Sequence, residues 1–434
     1  MKPARPVYIL GGAHTPFIGK YHPDFIWKGH PQFLTRKNPT IEEHLSRAAL
    51  RAMEDAGADP ERIERSFVSN FAGECFVRQG HLGAVLAGVH PGLRQKPSLR
   101  IEGACASGGL AVATAVESIA AGTDLALVAG VEVQTTVDAR EGADYLARAA
   151  SYSKQRSLDP FTFPCLFARR ALAYRKAHGV GREELAPAVL KAHQNAARNP
   201  FAHFHAIGSA MTLERASAIS TSNPFFLENP EYRECLTVLN CSPVSDGASA
   251  LVLGSEKALR SLGRSPSESV EIAAVGMSAD DIEAPLRPDF DLLSLTTTET
   301  AARRAYQSAG VRPEQMEIAE VHDCFSIAEV LMMEALGFAP RGGGAQLIAS
   351  GATALDGKIP VNTGGGLVGF GHPVGATGVK QAVEIYRQML GLAGAYQLGR
   401  PPRLGISANM GGDDRTAVAM IYRKPEGGGR KAEV

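Results

Sequence analysis

Residues 48–61 read Ala-Ala-Leu-Arg-Ala-Met-Glu-Asp-Ala-Gly-Ala-Asp-Pro-Glu, and residues 301–314 read Ala-Ala-Arg-Arg-Ala-Tyr-Gln-Ser-Ala-Gly-Val-Arg-Pro-Glu. Eight of these fourteen positions are identical at a constant offset of 253. In each copy an alanine-rich amphipathic stretch stops at Ala-Gly, with glycine where a helix takes a left-handed C-terminal residue. Pro-Glu then opens the next turn, and a short apolar strand follows, at Phe67-Val68 in one copy and Ile318–Val321 in the other. Two unrelated helices sharing a cap would not keep this order of events. A chain of 434 residues that repeats it is constrained to a duplicated domain of mixed strands and helices.

The correspondence continues past the repeat. Leu99–Glu102 reads as a strand, Gly103–Gly109 as a small-residue turn, and Leu110 to about Ala121 as a helix. Asp124–Val133 has the continuous apolar run of a buried strand. In the second half the order is a strand at Ile359–Val361, a glycine-rich turn over Gly364–Gly378, a helix over Val379–Gly391 and a strand over Arg403–Ser407. Strand-turn-helix units of this kind predict a parallel or mixed sheet covered by helices. A first strand, Val7–Leu10, is predicted to end at Gly11-Gly12.

Residues 138–237 break the pattern with Pro160, Pro164, Pro200, Pro224 and Pro230, and with two predicted helices at about 165–178 and 183–198. They are expected to form an insert in a first half spanning 1–265. The second half is 266–424 and the tail 425–434. From 138 to 200, eleven Lys/Arg outnumber six Asp/Glu. That excess is either a solvated helical surface or a lid for an anionic ligand such as a nucleotide phosphate. Segment 15–40 reads as a loop excursion without a legible role.

Composition closes off several classes. Lys+Arg and Asp+Glu number 45 each, which argues against a nucleic-acid binder. Six scattered cysteines without a C-x-x-C pair argue against a disulfide scaffold or zinc ribbon and fit a reducing cytosol. No run of about 18 apolar residues predicts a membrane span. The expectation is a soluble, cytoplasmic protein.

Three turns carry candidate chemistry. Cys105 lies at a helix mouth among Ala, Ser and Gly, where the helix dipole is expected to lower the thiol pKa; a small cysteine buried in a tight contact is the alternative. His372 occupies the corresponding turn of the other half, with room on both sides and Pro373 fixing the chain direction. Alone it would be a structural histidine; as the partner of a cysteine turn it becomes a base for that thiol. In Val321-His322-Asp323-Cys324-Phe325, His322 and Cys324 point the same way if extended. No second cluster supplies ligands, so a metal is not expected there. His203 and His205 read as a surface pair.

The segments Gly-Ala-Cys105-Ala-Ser-Gly-Gly, Asn240-Cys-Ser-Pro-Val-Ser-Asp-Gly, Glu320-Val-His-Asp-Cys-Phe, Gly371-His-Pro-Val-Gly-Ala-Thr-Gly and Ser407-Ala-Asn-Met-Gly-Gly-Asp-Asp together resemble the thiolase superfamily, in order across nearly the whole chain. The resemblance implies duplicated βαβαβαββ halves in a five-layered αβαβα fold, with an inserted loop domain and assembly as a homodimer or homotetramer. It implies Cys105 as the acylated nucleophile and His372 as its base. His322-Asp-Cys-Phe stands where most members have Asn-Glu-Ala-Phe, and Asn409 where they have a second catalytic cysteine. Both departures resemble the sterol carrier protein type, in which the cysteine of His-Asp-Cys-Phe, here Cys324, replaces the missing one. The resemblance further implies His322 and His372 as donors to a thioester oxygen. It places the amides of Cys105 and Gly411 at a second oxyanion hole, and Ser242 against the pantetheine arm. The implied activity is acyl-CoA C-acyl transfer, with CoA thioesters as substrates and no cofactor or metal. The alternatives are a retro-aldol lyase of the same fold, which generally lacks the cysteine, and a non-catalytic subunit. Some similar proteins work beside a small zinc-ribbon/OB-fold partner.

Overall fold

The computed structural model describes residues 1–426, and most of the expected tail lies outside the described residues. Nine strands form it: β1 (Val7–His14), β2 (Arg65–Ser69), β3 (Ser98–Ile101), β4 (Leu125–Glu132), β5 (Gly247–Ser255), β6 (Val270–Ala279), β7 (Ile318–Val321), β8 (Leu404–Gly411) and β9 (Thr416–Arg423). The helices that matter here are α1 (Ile41–Ala56), α2 (Ser107–Ala120), α3 (Thr162–His178), α4 (Arg182–Ala196), α5 (Thr296–Ala309), α6 (Ser326–Ala335) and α7 (Thr377–Leu390).

The sheet order is β3-β2-β4-β5-β1-β6-β9-β8-β7. In the first half β2 runs parallel to β3 and β4, and β4, β5 and β1 follow antiparallel. In the second half β7 is parallel to β8, and β8, β9 and β6 are antiparallel. The duplication therefore holds for four strands of each half, β1 matching β6, β2 matching β7, β4 matching β8 and β5 matching β9. The two half-sheets meet at only two residue pairs, Tyr8 with Glu271 and Ile9 with Val270.

Three apolar clusters show the layering. One lies between α1 and the outer face of the first half-sheet, and one between α5, α6 and the outer face of the second. The third contains α2, α7 and the inner faces of both half-sheets. This is the five-layered arrangement that the motifs imply. Local signals account for its boundaries. Thr40 and Glu43 form a capping box at the start of α1, and Gly57 (φ 63°) and Gly310 (φ 67°) end α1 and α5 in the left-handed region.

Two expected boundaries are corrected. β1 does not stop at Gly11-Gly12 but runs on to His14 with a bulge between Ile9 and Gly11. A Cβ at Gly11 would stand 2.4 Å from the Ala56 nitrogen, so glycine serves close packing of α1 rather than a turn. Ile359–Val361 is not a ladder strand. Only one parallel bridge forms, Val361 with Ala319, because Pro360 has no N–H to give and Asn362 turns away at φ 55°.

The insert carries α3 and α4, and it is held against the second half. Phe167 stacks on Phe325 with centroids 4.5 Å apart. Arg170 is fully buried, donating to Asp413 Oδ1 (2.5 Å) and to the carbonyls of Leu292 (3.2 Å) and Ser294 (2.9 Å). No helix of the described residues is long and apolar enough to cross a membrane.

At the centre, α2 and α7 touch backbone to backbone through glycines. A Cβ on Gly108 would lie 2.6 Å from the Gly378 nitrogen, and one on Gly378 would lie 2.1 Å from the Gly109 nitrogen. Gly378→Ala is expected to destabilise the fold by about 3 kcal/mol, at the upper end for overpacking because the obstacle is backbone. A denaturant midpoint equal to wild type would show that the helices can part without cost.

Candidate active site

Cys105 sits in the tight turn Ala104–Ala106 that leads into α2. Ala104 is held at φ 52°, a left-handed conformation costing a non-glycine residue about 1 kcal/mol. The Ser107 hydroxyl clamps the turn, accepting from Gly103 N–H (3.0 Å) and donating to the Ala104 carbonyl (2.6 Å). His372 lies in the turn before α7 and is buried. The ring planes of His322 and His372 are nearly perpendicular, with centroids 5.1 Å apart. One donor atom from each of Cys105, His322 and His372 lies within 4.8 Å of the others. The fold thus brings Cys105 to two histidines more than two hundred positions away.

The hydrogen bonds around each ring decide where its proton is. The Thr377 hydroxyl donates to the Pro373 carbonyl (3.1 Å), so at 2.6 Å it accepts from His372 Nδ1–H. That leaves His372 Nε2 with a free lone pair, which is what a base needs. His322 is the reverse. Its Nδ1 faces the Asn409 amide nitrogen at 3.1 Å, accepts from it, and so Nε2 carries the proton. A metal at the three donors would need that Nε2 proton removed, so the set fits Cys–His chemistry better than ligation.

One electrostatic expectation is overturned. The Cys105 thiol is not lowered but pushed up to about 12, because burial disfavours the thiolate by more than the Gly412 amide and its own N–H stabilise it. His372 is lowered to about 3 by burial, and His322 falls well below its usual value through burial and then the neighbouring His372. The site without substrate therefore holds a neutral thiol beside two neutral imidazoles.

Cys324 is buried beside Phe325, its thiol raised well above the ordinary range by burial, then by Cys105 and Asp323. Its carbonyl accepts from Ser242 N–H (2.9 Å), which brings the Asn240–Pro243 segment to the site. Gly411 ends β8 against the cysteine turn, where a Cβ would lie 2.4 Å from the Gly103 carbonyl and 3.1 Å from Ala106.

Two readings from the sequence need correction, and the basic excess can now be described. Aligning the starts of α2 and α7 puts Gly375, not His372, opposite Cys105, so His372 comes three residues earlier in its turn. His203 is not at the surface: it is buried between Ser245 Oγ (2.9 Å) and the Lys20 carbonyl (2.7 Å), while His205 is exposed. The basic excess of 138–200 is largely spent. Arg140, Arg148, Lys154, Arg156, Arg169, Arg170 and Lys191 all pair with carboxylates, and Glu228, Glu283, Glu329 and Asp413 come from outside the segment.

Sequence reasoning missed three supporting residues. Thr377 was visible in Gly-Ala-Thr-Gly but not as the partner of His372. Asn409 was visible only as an absent cysteine. Glu132 ends β4 fully buried and accepts from Asn70 Nδ2 (2.7 Å) and from the amides of Phe71 (2.9 Å), Ala72 (3.1 Å) and Gly375 (3.0 Å). It ties the first half to the turn carrying His372, and no local pattern announces it.

Comparison with known proteins bears on this geometry. Residues 32–257 match the family model "Thiolase, N-terminal domain", and 286–424 match "Thiolase C-terminal domain-like". An acetyl-CoA acetyltransferase of Methanothermobacter thermautotrophicus is 35% identical over 386 residues, covering 89% of this chain and 95% of the relative. The fold resembles that of a protein described as Ltp2-ChsH2(DUF35) aldolase (TM-score 0.76, 19% identity, 98% of each chain). It also resembles human mitochondrial 3-ketoacyl-CoA thiolase in complex with CoA (TM-score 0.69, 18% identity, 98% of this chain and all of that one).

Because the thiol is raised, alkylation of Cys105 by iodoacetamide is expected to climb steadily through about pH 9. A plateau near neutral pH would reveal a preformed thiolate–imidazolium pair instead.

Proposed function

The chain belongs to the thiolase family and is an acyl-CoA C-acyltransferase, and we propose that it works through an acyl-Cys105 intermediate. The observation that carries the mechanism is the meeting of Cys105, His322 and His372 with opposite imidazole tautomers. In the cleavage direction His372 Nε2 takes the thiol proton as Cys105 Sγ attacks the 3-oxo carbon of a 3-oxoacyl-CoA. The raised thiol pKa means this transfer accompanies attack rather than preceding it. The amides of Cys105 and Gly411 hold the resulting oxyanion. The C2–C3 bond breaks, and the electron pair moves onto the acetyl-CoA fragment as an enolate. His322 Nε2–H donates to the enolate oxygen, and Cys324 returns a proton to C2. A second CoA thiol then gives its proton to the Cys324 thiolate and attacks the acyl group, and Cys105 leaves as its sulfur recovers the proton held by His372. Condensation is the same sequence reversed.

Further readings belong to the same proposal. Ser242 contacts the pantetheine arm, supported by its bond to the Cys324 carbonyl. Residues 1–265, with the insert 138–237, and 266–424 are the two halves. The substrates are CoA thioesters of fatty-acid type, and no cofactor or metal is used. The protein is a cytoplasmic homodimer or homotetramer; six cysteines outside any disulfide support a reducing compartment. A small zinc-ribbon/OB-fold accessory protein is a candidate partner, supported by the complex named in the aldolase neighbour.

Incubation with acetyl-CoA followed by intact-mass measurement tests the intermediate. Wild type is expected to gain one acetyl group and Cys105→Ala none; an adduct on that variant would move the nucleophile elsewhere. A retro-aldol lyase or an inactive subunit would leave wild type unmodified. Cys324→Ser is expected to acylate normally but to lose α-deuterium exchange into acetyl-CoA by roughly 10²–10⁴-fold. Wild-type exchange in that variant would leave Cys324 a packed thiol.

A further inference from the structure

We propose that Asn409 is a positioning residue that holds the proton of His322 on Nε2, where the reaction described above needs a donor. This rests on that reading for its purpose, though not for its geometry. The Asn409 side chain is buried at the end of β8, and all of its hydrogen-bonding capacity toward the site is assigned by groups that cannot change role. Gly109 N–H, which can only donate, meets Oδ1 at 2.9 Å. The Cys105 carbonyl, which can only accept, meets Nδ2 at 3.0 Å. These two backbone groups fix the carboxamide orientation independently of the histidine. The second Nδ2 hydrogen then points at His322 Nδ1, 3.1 Å away, and that nitrogen must offer a lone pair. The other tautomer would set two donors face to face in a buried site.

The surroundings are shaped for this carboxamide. A Cβ on Gly378 would stand 2.3 Å from Asn409 Oδ1, and one on Gly109 would stand 2.9 Å from it. A cysteine at this position has one weak donor and no fixed polarity, so it could exchange a proton but not impose a tautomer. Asn409 does the opposite. It cannot titrate, and it converts the orientation of the α2 backbone into the protonation pattern of His322. The same contact links the nucleophile turn to the oxyanion donor, since Cys105 C=O and His322 share one amide group.

Nitrogen NMR of histidine-labelled protein reads this directly, with the His322 signals assigned by their loss in His322→Ala. Wild type is expected to show Nδ1 unprotonated and Nε2 protonated. A wild-type Nδ1–H tautomer would overturn the proposal without any variant of Asn409. In Asn409→Asp the carboxylate still accepts from Gly109 but now accepts from His322 too, so the tautomer is expected to switch to Nδ1–H. α-Deuterium exchange is then expected to fall by about 10²-fold, the loss of one oxyanion donor, while alkylation of Cys105 persists. An Asp variant that keeps the Nε2–H tautomer would sink the positioning role. A tautomer switch in a protein whose wild type exchanges no α-deuterium would instead leave the positioning intact and remove the thiolase reading.

Discussion

The contact between Gly108 and Gly378 is the constraint on which the site depends. Each half-sheet delivers one helix to the middle layer, and the half-sheets themselves share only two residue pairs. What joins the chemistry of the two halves is therefore helix against helix, N-terminus against N-terminus. Side chains there would hold the helices apart, and separation of about an ångström would break the shared bonds of Asn409. With glycine at positions 108, 109 and 378, the turns before α2 and α7 come close enough to bring Cys105 and His372 together. Duplication supplies the symmetry, and the absence of three Cβ atoms supplies the distance.

The chemistry then follows from dryness. A helix N-terminus favours a thiolate by about 1 kcal/mol, whereas removing a thiol from water can raise its pKa by several units. At Cys105 burial wins, and the thiol rises to about 12. Two imidazoles that would otherwise titrate near neutral pH are held uncharged by the same effect. With no standing charges, the two rings are distinguished only by single hydrogen bonds. Thr377 leaves His372 Nε2 with its lone pair, and Asn409 leaves His322 Nε2 with the proton. The two rings are the same side chain, and the neighbouring polar groups make them different.

Much of this was legible in the sequence because it is local. The repeat at offset 253 marked α1 and α5 with their glycine caps, and the strands after them, since caps and apolar runs are properties of neighbouring residues. The motifs marked Cys105, His322, Cys324 and His372. What failed depended on distant contacts. Gly11 looked like a turn because α1, which it accommodates, is forty residues away. The basic excess of the insert left a solvated surface and an anion lid both open, because the carboxylates that pair with Arg140, Lys154, Arg170 and Lys191 lie outside the segment. His203 looked exposed because Ser245 and Lys20, which enclose it, are far along the chain. The thiol pKa was misjudged for the same reason: a dipole can be read from one helix, whereas desolvation is summed over every layer.

The insert shows how such long-range terms reach the reaction. Residues 412–415 form the turn between β8 and β9, directly after Gly411, which packs against the nucleophile turn. Asp413 binds the buried Arg170 of α3 at 2.5 Å. Asp414 accepts from the amides of Thr297 (2.8 Å) and Thr298 (3.0 Å) at the start of α5. The turn is thus held between the insert on one side and the outer helix layer on the other. A buried ion pair is a poor source of stability, since desolvation offsets much of its attraction. Its value here is rigidity, since it fixes the turn that follows Gly411 beside the nucleophile. The insert is consequently part of the active-site scaffold: through Arg170 and Asp413 it holds the loop of Gly411 and Gly412, and through Phe167 and Phe325 it holds the loop of Cys324.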